Sequence, residues 1–95
     1  GSALLTIFLM IILLLEFAGI AILFLEGKSP DSNIKTPSDA IWWIIVTVTT
    51  VGYGDRFPVT NPGRIIGVLV MAVGIRLVGT LTEFLANAFL TNKKK

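Results

Sequence analysis

The sequence contains neither cysteine nor histidine. The first absence excludes disulfide staples and thiolate metal sites. The second removes the usual zinc ligands and histidine-based catalysis. Charge is scarce as well: 15% of the 95 residues are Asp, Glu, Lys or Arg, against roughly a quarter in an ordinary soluble domain. A soluble domain this short would in any case bury too small a share of its surface to be more than marginal. The net charge of +2 is small and scattered, which argues against a nucleic-acid partner. No nucleophile–base pair or metal-ligand cluster suggests an enzyme. What the chain has in abundance is apolar surface, 54% of its residues. That leaves a membrane protein with room for about two spanning helices, each needing roughly 20 apolar residues.

Gly1-Ser2, with no initiating Met, reads as a protease-cleavage scar and carries no fold information. Residues 3–25 form an apolar run broken only by Thr6, Glu16 and Gly19, long enough for a first, outer spanning helix. It lacks the basic start, short apolar core and cleavage site of a signal peptide. Residues 26–36 open a polar stretch with Gly, Pro, Asn and several acids, which reads as a solvated extracellular turret. Thr36-Pro37-Ser38-Asp39 is then a helix start: a capping hydroxyl, Pro in the first turn, and an acid three residues after the cap. The apolar segment that follows is too short to cross a bilayer and fits a re-entrant helix over 37–50. Asn61-Pro62 repeats the start signal, with Asn61 as the cap. One long inner helix is predicted over 62–91, and 92–95 form a cytoplasmic end. Lys28, Lys35, Arg56 and Arg64 balance Glu26, Asp31, Asp39 and Asp55 between the spans, whereas Lys93-Lys94-Lys95 are unopposed. The positive-inside rule then puts both termini in the cytoplasm, unless the lysines are a tag remnant.

Between the re-entrant helix and the inner helix lies Val51-Gly52-Tyr53-Gly54-Asp55. Irregular backbone at membrane depth is tolerated only where protein buries it or where it lines a water-filled cavity. A two-helix chain cannot enclose a cavity, so the copies must close around an axis with this segment at the centre. If successive carbonyls all point at the axis, stacked oxygen rings can replace the water around a dehydrated cation. That geometry alternates left- and right-handed residues, which Gly52 and Gly54 supply at little steric cost. Val51 and Tyr53 would turn their side chains away from the axis, and the Thr50 hydroxyl could add an oxygen at the inner end.

Thr49-Thr50-Val51-Gly52-Tyr53-Gly54-Asp55 resembles the signature of the potassium channels. The order of helix, loop, short helix, filter and helix is similar to that family's pore domain over essentially the whole chain. The resemblance implies an all-α membrane protein, a homotetramer in the lipid bilayer, with the filter at 50–54. The implied ligands of K+ are the carbonyls of Thr50, Val51, Gly52 and Tyr53 and the Thr50 hydroxyl, with no organic cofactor. It also implies that Trp42 bonds to Asp55 and that Tyr53 packs on aromatics behind the filter. Trp42 and Trp43 would form that cuff; otherwise they are interfacial belt residues. Val46 stands where some members carry a glutamate, so one carboxylate contact behind the filter is missing.

By the same resemblance Gly74 is a gating hinge, or a small residue for close helix packing. Ile75, Val78 and Thr82 would line the cavity, on one stripe at spacings of three and four. Arg76, Glu83 and Glu16 are charges at membrane depth, and such charges normally have partners. Glu16 and Arg76 lie at similar depths by helix rise and are expected to pair between the helices, with Glu83 a second partner. The alternatives are a snorkelling arginine beside a protonated glutamate, or charges introduced to bias gating. The sequence lacks an arginine-rich voltage-sensing helix, so the chain would be either a complete small channel or, as the scar suggests, a pore excised from a protein with a voltage-sensing or ligand-binding domain. The expected function is passive, potassium-selective conduction across the cell membrane. The rival readings are a weakly selective cation channel and a non-conducting assembly subunit.

Overall fold

The computed structural model describes residues 2–93, with side chains through Leu90. Three helices follow one another: α1 (Ser2–Glu26), α2 (Pro37–Val48) and α3 (Asn61–Lys93). α1 and the Asn61–Leu90 part of α3 are each long and apolar enough to cross a bilayer. They run antiparallel, because Glu26 at the end of α1 reaches Gly63 and Leu14 reaches Gly74. α2 wedges against both, with Ile44 on Gly19 of α1 and Trp43 on Gly67 of α3. Ile22, Ile34, Ala40, Trp43, Ile44, Val48 and Val70 make the core where the three meet. Much of the remaining apolar surface is exposed, including Phe8, Phe17, Phe24, Ile65, Val68 and Phe89. Patches of this extent belong against lipid or other subunits.

The start of α2 follows its sequence signal. Thr36 caps it, its hydroxyl accepting from Asp39 N–H at 3.1 Å while the Asp39 carboxylate accepts from Thr36 N–H at 3.2 Å. Pro37 takes the first turn, where its missing N–H costs nothing. The other end differs from expectation. α2 stops at Val48, not residue 50, because Thr49 closes the last turn and Thr50 adopts φ 64°. α3 also begins one residue early. Thr60 rather than Asn61 is its cap, accepting from Gly63 N–H at 2.9 Å.

The turret is less solvated than its composition suggests. Glu26, Ser32 and Ile34 are buried. The Glu26 carboxylate accepts from Ser32 Oγ at 3.0 Å, Val59 N–H at 2.7 Å and Thr60 N–H at 3.0 Å, and from the Thr60 hydroxyl. It thereby ties the end of α1 to the start of α3. Gly63 makes room for it, since a Cβ there would sit 2.2 Å from Glu26 Oε2. Lys94 and Lys95, on which much of the orientation argument rests, lie outside the described residues.

Candidate functional site

The segment 50–54 leaves the C-terminal end of α2 and turns back toward the start of α3. Its backbone has positive φ at Thr50 (64°), Gly52 (62°) and Gly54 (81°). Left-handed residues therefore alternate with ordinary ones over the whole stretch, the pattern that keeps successive carbonyls on one side. The left-handed conformation is expected from the sequence at the two glycines but not at Thr50. A β-branched residue in this region is a steric outlier that costs about 1–3 kcal/mol and persists where its surroundings enforce it. No local signal distinguishes such a threonine from a helical one.

The segment is anchored at both ends. At the inner end, Thr50 N–H donates to Thr47 C=O at 3.1 Å and Gly52 N–H to Val46 C=O at 3.2 Å. Val46 thus holds the segment through its backbone, while its buried side chain supplies no carboxylate. At the outer end, Trp42 Nε1–H donates to Asp55 Oδ2 at 2.8 Å. The Trp42 ring also stacks on Tyr53, centroids 5.9 Å apart and planes within 3°. Trp43 plays a different part inside the chain. It is buried in the three-helix core beside Gly67 rather than against the filter.

A strut crosses the outer mouth. Arg56 Nε–H pairs with Asp39 Oδ1 at 3.1 Å, the one ion pair among the described residues. Backbone N–H of Lys35 and the Arg56 guanidinium hold the Asp39 carboxyl below the usual range for an aspartate.

A family model described as "Ion channel" matches residues 4–91. A voltage-gated potassium channel of Aeropyrum pernix is 42% identical over 79 residues, 83% of this chain and 27% of that protein. The calcium-gated potassium channel TvoK of Thermoplasma volcanium is 57% identical over 51 residues, 54% of this chain and 15% of its own length. This chain therefore spans little more than a quarter, at most, of these curated relatives. Among solved structures, a voltage-gated K+ channel pore domain in a closed state in lipid membranes superposes with a TM-score of 0.72. It shares 37% identity, over 94% of this chain and 98% of that one. The chain belongs to this ion-channel family, among its potassium-channel pore domains.

In this pore domain Gly74 lies where α3 crosses the end of α2. A Cβ there would come within 2.1 Å of Val48 Cγ1 and 3.1 Å of Leu14. Close packing accounts for the glycine in this conformation, and α3 runs through it without a break. Ile75 and Thr82 are exposed on the single chain, whereas Val78 packs partly against the core.

The expected Glu16–Arg76 pair does not form within the chain, nor does Glu83 supply Arg76 with a partner there. Helix phase gives the reason. Leu14 and Gly74 mark the line where α1 meets α3. Glu16 and Arg76 each lie two residues on, about 200° around their helices, and so face away from that line. Glu16 instead borders a groove between α1 and α2 with Leu15, Gly19, Ile20, Leu23, Pro37 and Ile41. Arg76 and Glu83 are exposed on α3.

Proposed function

We propose that four copies of this chain assemble around an axis in the cell membrane, both termini cytoplasmic, as a passive potassium-selective pore. Thr50, Val51, Gly52 and Tyr53 offer their carbonyls, and Thr50 its hydroxyl, in place of the ion's water. Gly54 carries the last of the alternating turns. The carrying observation is that alternation of left-handed residues at 50, 52 and 54, in a segment pinned at both ends. The C-terminal end of α2 is directed into the same region, and its dipole favours a cation there. The names of the relatives, all potassium channels, support the choice of ion.

In this reading Trp42 and Asp55 fix the width of the outer filter, and Trp43 braces the helix that carries Trp42. Ile75, Val78 and Thr82 face the inner cavity, and Gly74 is the point about which α3 bends on opening. Arg76 meets Glu16, or Glu83, across a subunit boundary, since neither acid lies on its own chain's contact line. In the full-length protein the pore is joined to a voltage-sensing or ligand-binding domain.

Reconstitution in liposomes tests the reading. Potassium flux that sodium cannot replace is the expected result. Equal fluxes would indicate a weakly selective cation pore, and no flux from an assembled tetramer would indicate a non-conducting subunit. Either result overturns the proposal.

A further inference from the structure

Between its two anchors the filter has few bonds of its own. The bonds from Thr50 and Gly52 to α2 hold the inner end, and Trp42 holds one oxygen of Asp55. The backbone that leaves the filter is held from another direction, by the turret. Asn33 Nδ2–H donates to Asp55 C=O at 2.9 Å, and Phe57 N–H donates to Asn33 Oδ1 at 3.0 Å. These two backbone groups flank Arg56, so one side-chain amide makes the pair of bonds that a neighbouring parallel strand would make. Arg56 reaches Asp39 Oδ1, at the start of α2. Its Nη1 also donates to Asp55 C=O at 3.3 Å. The exit segment is thus tied to the turret by Asn33 and to the pore helix by Arg56.

The chemistry of the clamp is specific. It needs a donor and an acceptor on one short planar group, which asparagine supplies and aspartate does not. It also acts one residue beyond Gly54, the last left-handed position. Carbonyls aligned on one axis repel each other unless a cation lies between them, so the filter is least secure when its outer end is empty. A brace on the next peptide opposes the rotation that would relieve this repulsion.

We propose that Asn33 is a positioning residue for ion conduction: the turret, through this amide, holds the outer end of the filter in its conducting geometry when ions are scarce. The inference rests on the potassium-pore reading above. The test compares the tetramer in liposomes with its Asn33→Asp and Asn33→Ala variants, following the decay of potassium current during sustained opening at low and high external K+. Asn33→Asp keeps shape and acceptor but removes the donor. Both variants are expected to lose current about tenfold faster than the parent at low K+. High K+ should restore the parental rate, because bound ions replace the missing brace. A role confined to folding or assembly would not move that K+ dependence.

Parental decay in assembled Asn33→Asp at both K+ levels would overturn the proposal. So would faster decay that K+ does not relieve. Should Asn33→Ala fail to assemble, the isosteric aspartate variant carries the decision. Absence of potassium flux in the parent would instead overturn the functional reading itself, so the two failures are distinguishable.

Discussion

Two glutamates on α1 lie ten residues apart and live in opposite circumstances. Glu26 is buried and accepts hydrogen bonds from Ser32, Val59 and Thr60 of the same chain. Glu16 is exposed at membrane depth, without an ion-pair partner among the described residues. The difference separates the molecule into a self-sufficient outer part and an unfinished middle. At the outer end the turret, the start of α2 and the start of α3 satisfy each other's polar groups. Along the spanning helices, apolar faces and the charges of Glu16, Arg76 and Glu83 stay exposed on the single chain, and the proposed tetramer would cover them. A pore subunit is expected to be divided in this way.

The sharpest way to break the comparison is at Glu26. Replacing it by Gln sets an NH2 against backbone donors and should cost about 2–4 kcal/mol, read as a lower midpoint for unfolding in detergent. A loss under about 0.5 kcal/mol would mean that the outer part does not depend on this carboxylate.

Gly74→Ala comes next. Alanine gains roughly 1 kcal/mol of helix propensity over glycine, but a Cβ 2.1 Å from Val48 Cγ1 forces α3 off α2. Overpacking of this kind costs about 1–3 kcal/mol, so net destabilisation is expected. Val48→Ala in the same chain should recover much of it, whereas simple additivity would show that the crossing is not the cause.

The middle of the membrane should respond differently. Glu16→Gln or Arg76→Gln is expected to leave helix content unchanged and to weaken the tetramer, measured by native electrophoresis or analytical ultracentrifugation. The Glu16→Arg, Arg76→Glu exchange should restore assembly. Additive damage in the exchanged chain would remove the proposed pairing between subunits.

The smallest effect is at the outer mouth. The Asp39 carboxyl titrates below its ordinary value in the folded chain. Its contribution is therefore complete above the pKa of an unfolded aspartate and is lost as pH falls through the lower, folded value. Asp39→Asn should flatten the acid limb of the unfolding-midpoint profile and leave the neutral region nearly unchanged. An unaltered acid limb would show that the strut to Arg56 contributes nothing measurable.

Some parts of this arrangement could be read from the sequence and others could not, for identifiable reasons. The two spanning helices follow from long, mostly apolar runs, and the start of α2 from a capping box with proline. The left-handed turns at Gly52 and Gly54 were legible because glycines alternate there. Glu26 was not legible. A glutamate at the head of a polar loop looks solvated, and its backbone donors come from residues more than thirty positions away. Asn33 was hidden for the same reason, its partners being 22 and 24 residues along. The separate duties of Trp42 and Trp43 follow from helix phase against neighbours, which adjacent identical letters do not disclose. The charge pairing across α1 and α3 was expected from matching depth. Depth is a matter of rise along a helix, but contact also requires phase, and phase is set by which faces pack.

The sequence by itself determined the class of molecule. Apolar runs of spanning length, one run too short to span, and alternate glycines behind a threonine allow little else. Tertiary structure decided which polar groups are satisfied within the chain and which stay exposed. Hydrophobic length and capping act over a few residues and are written locally. Burial of a carboxylate, a clamp on a distant peptide and the crossing of Gly74 over Val48 exist only once remote segments meet.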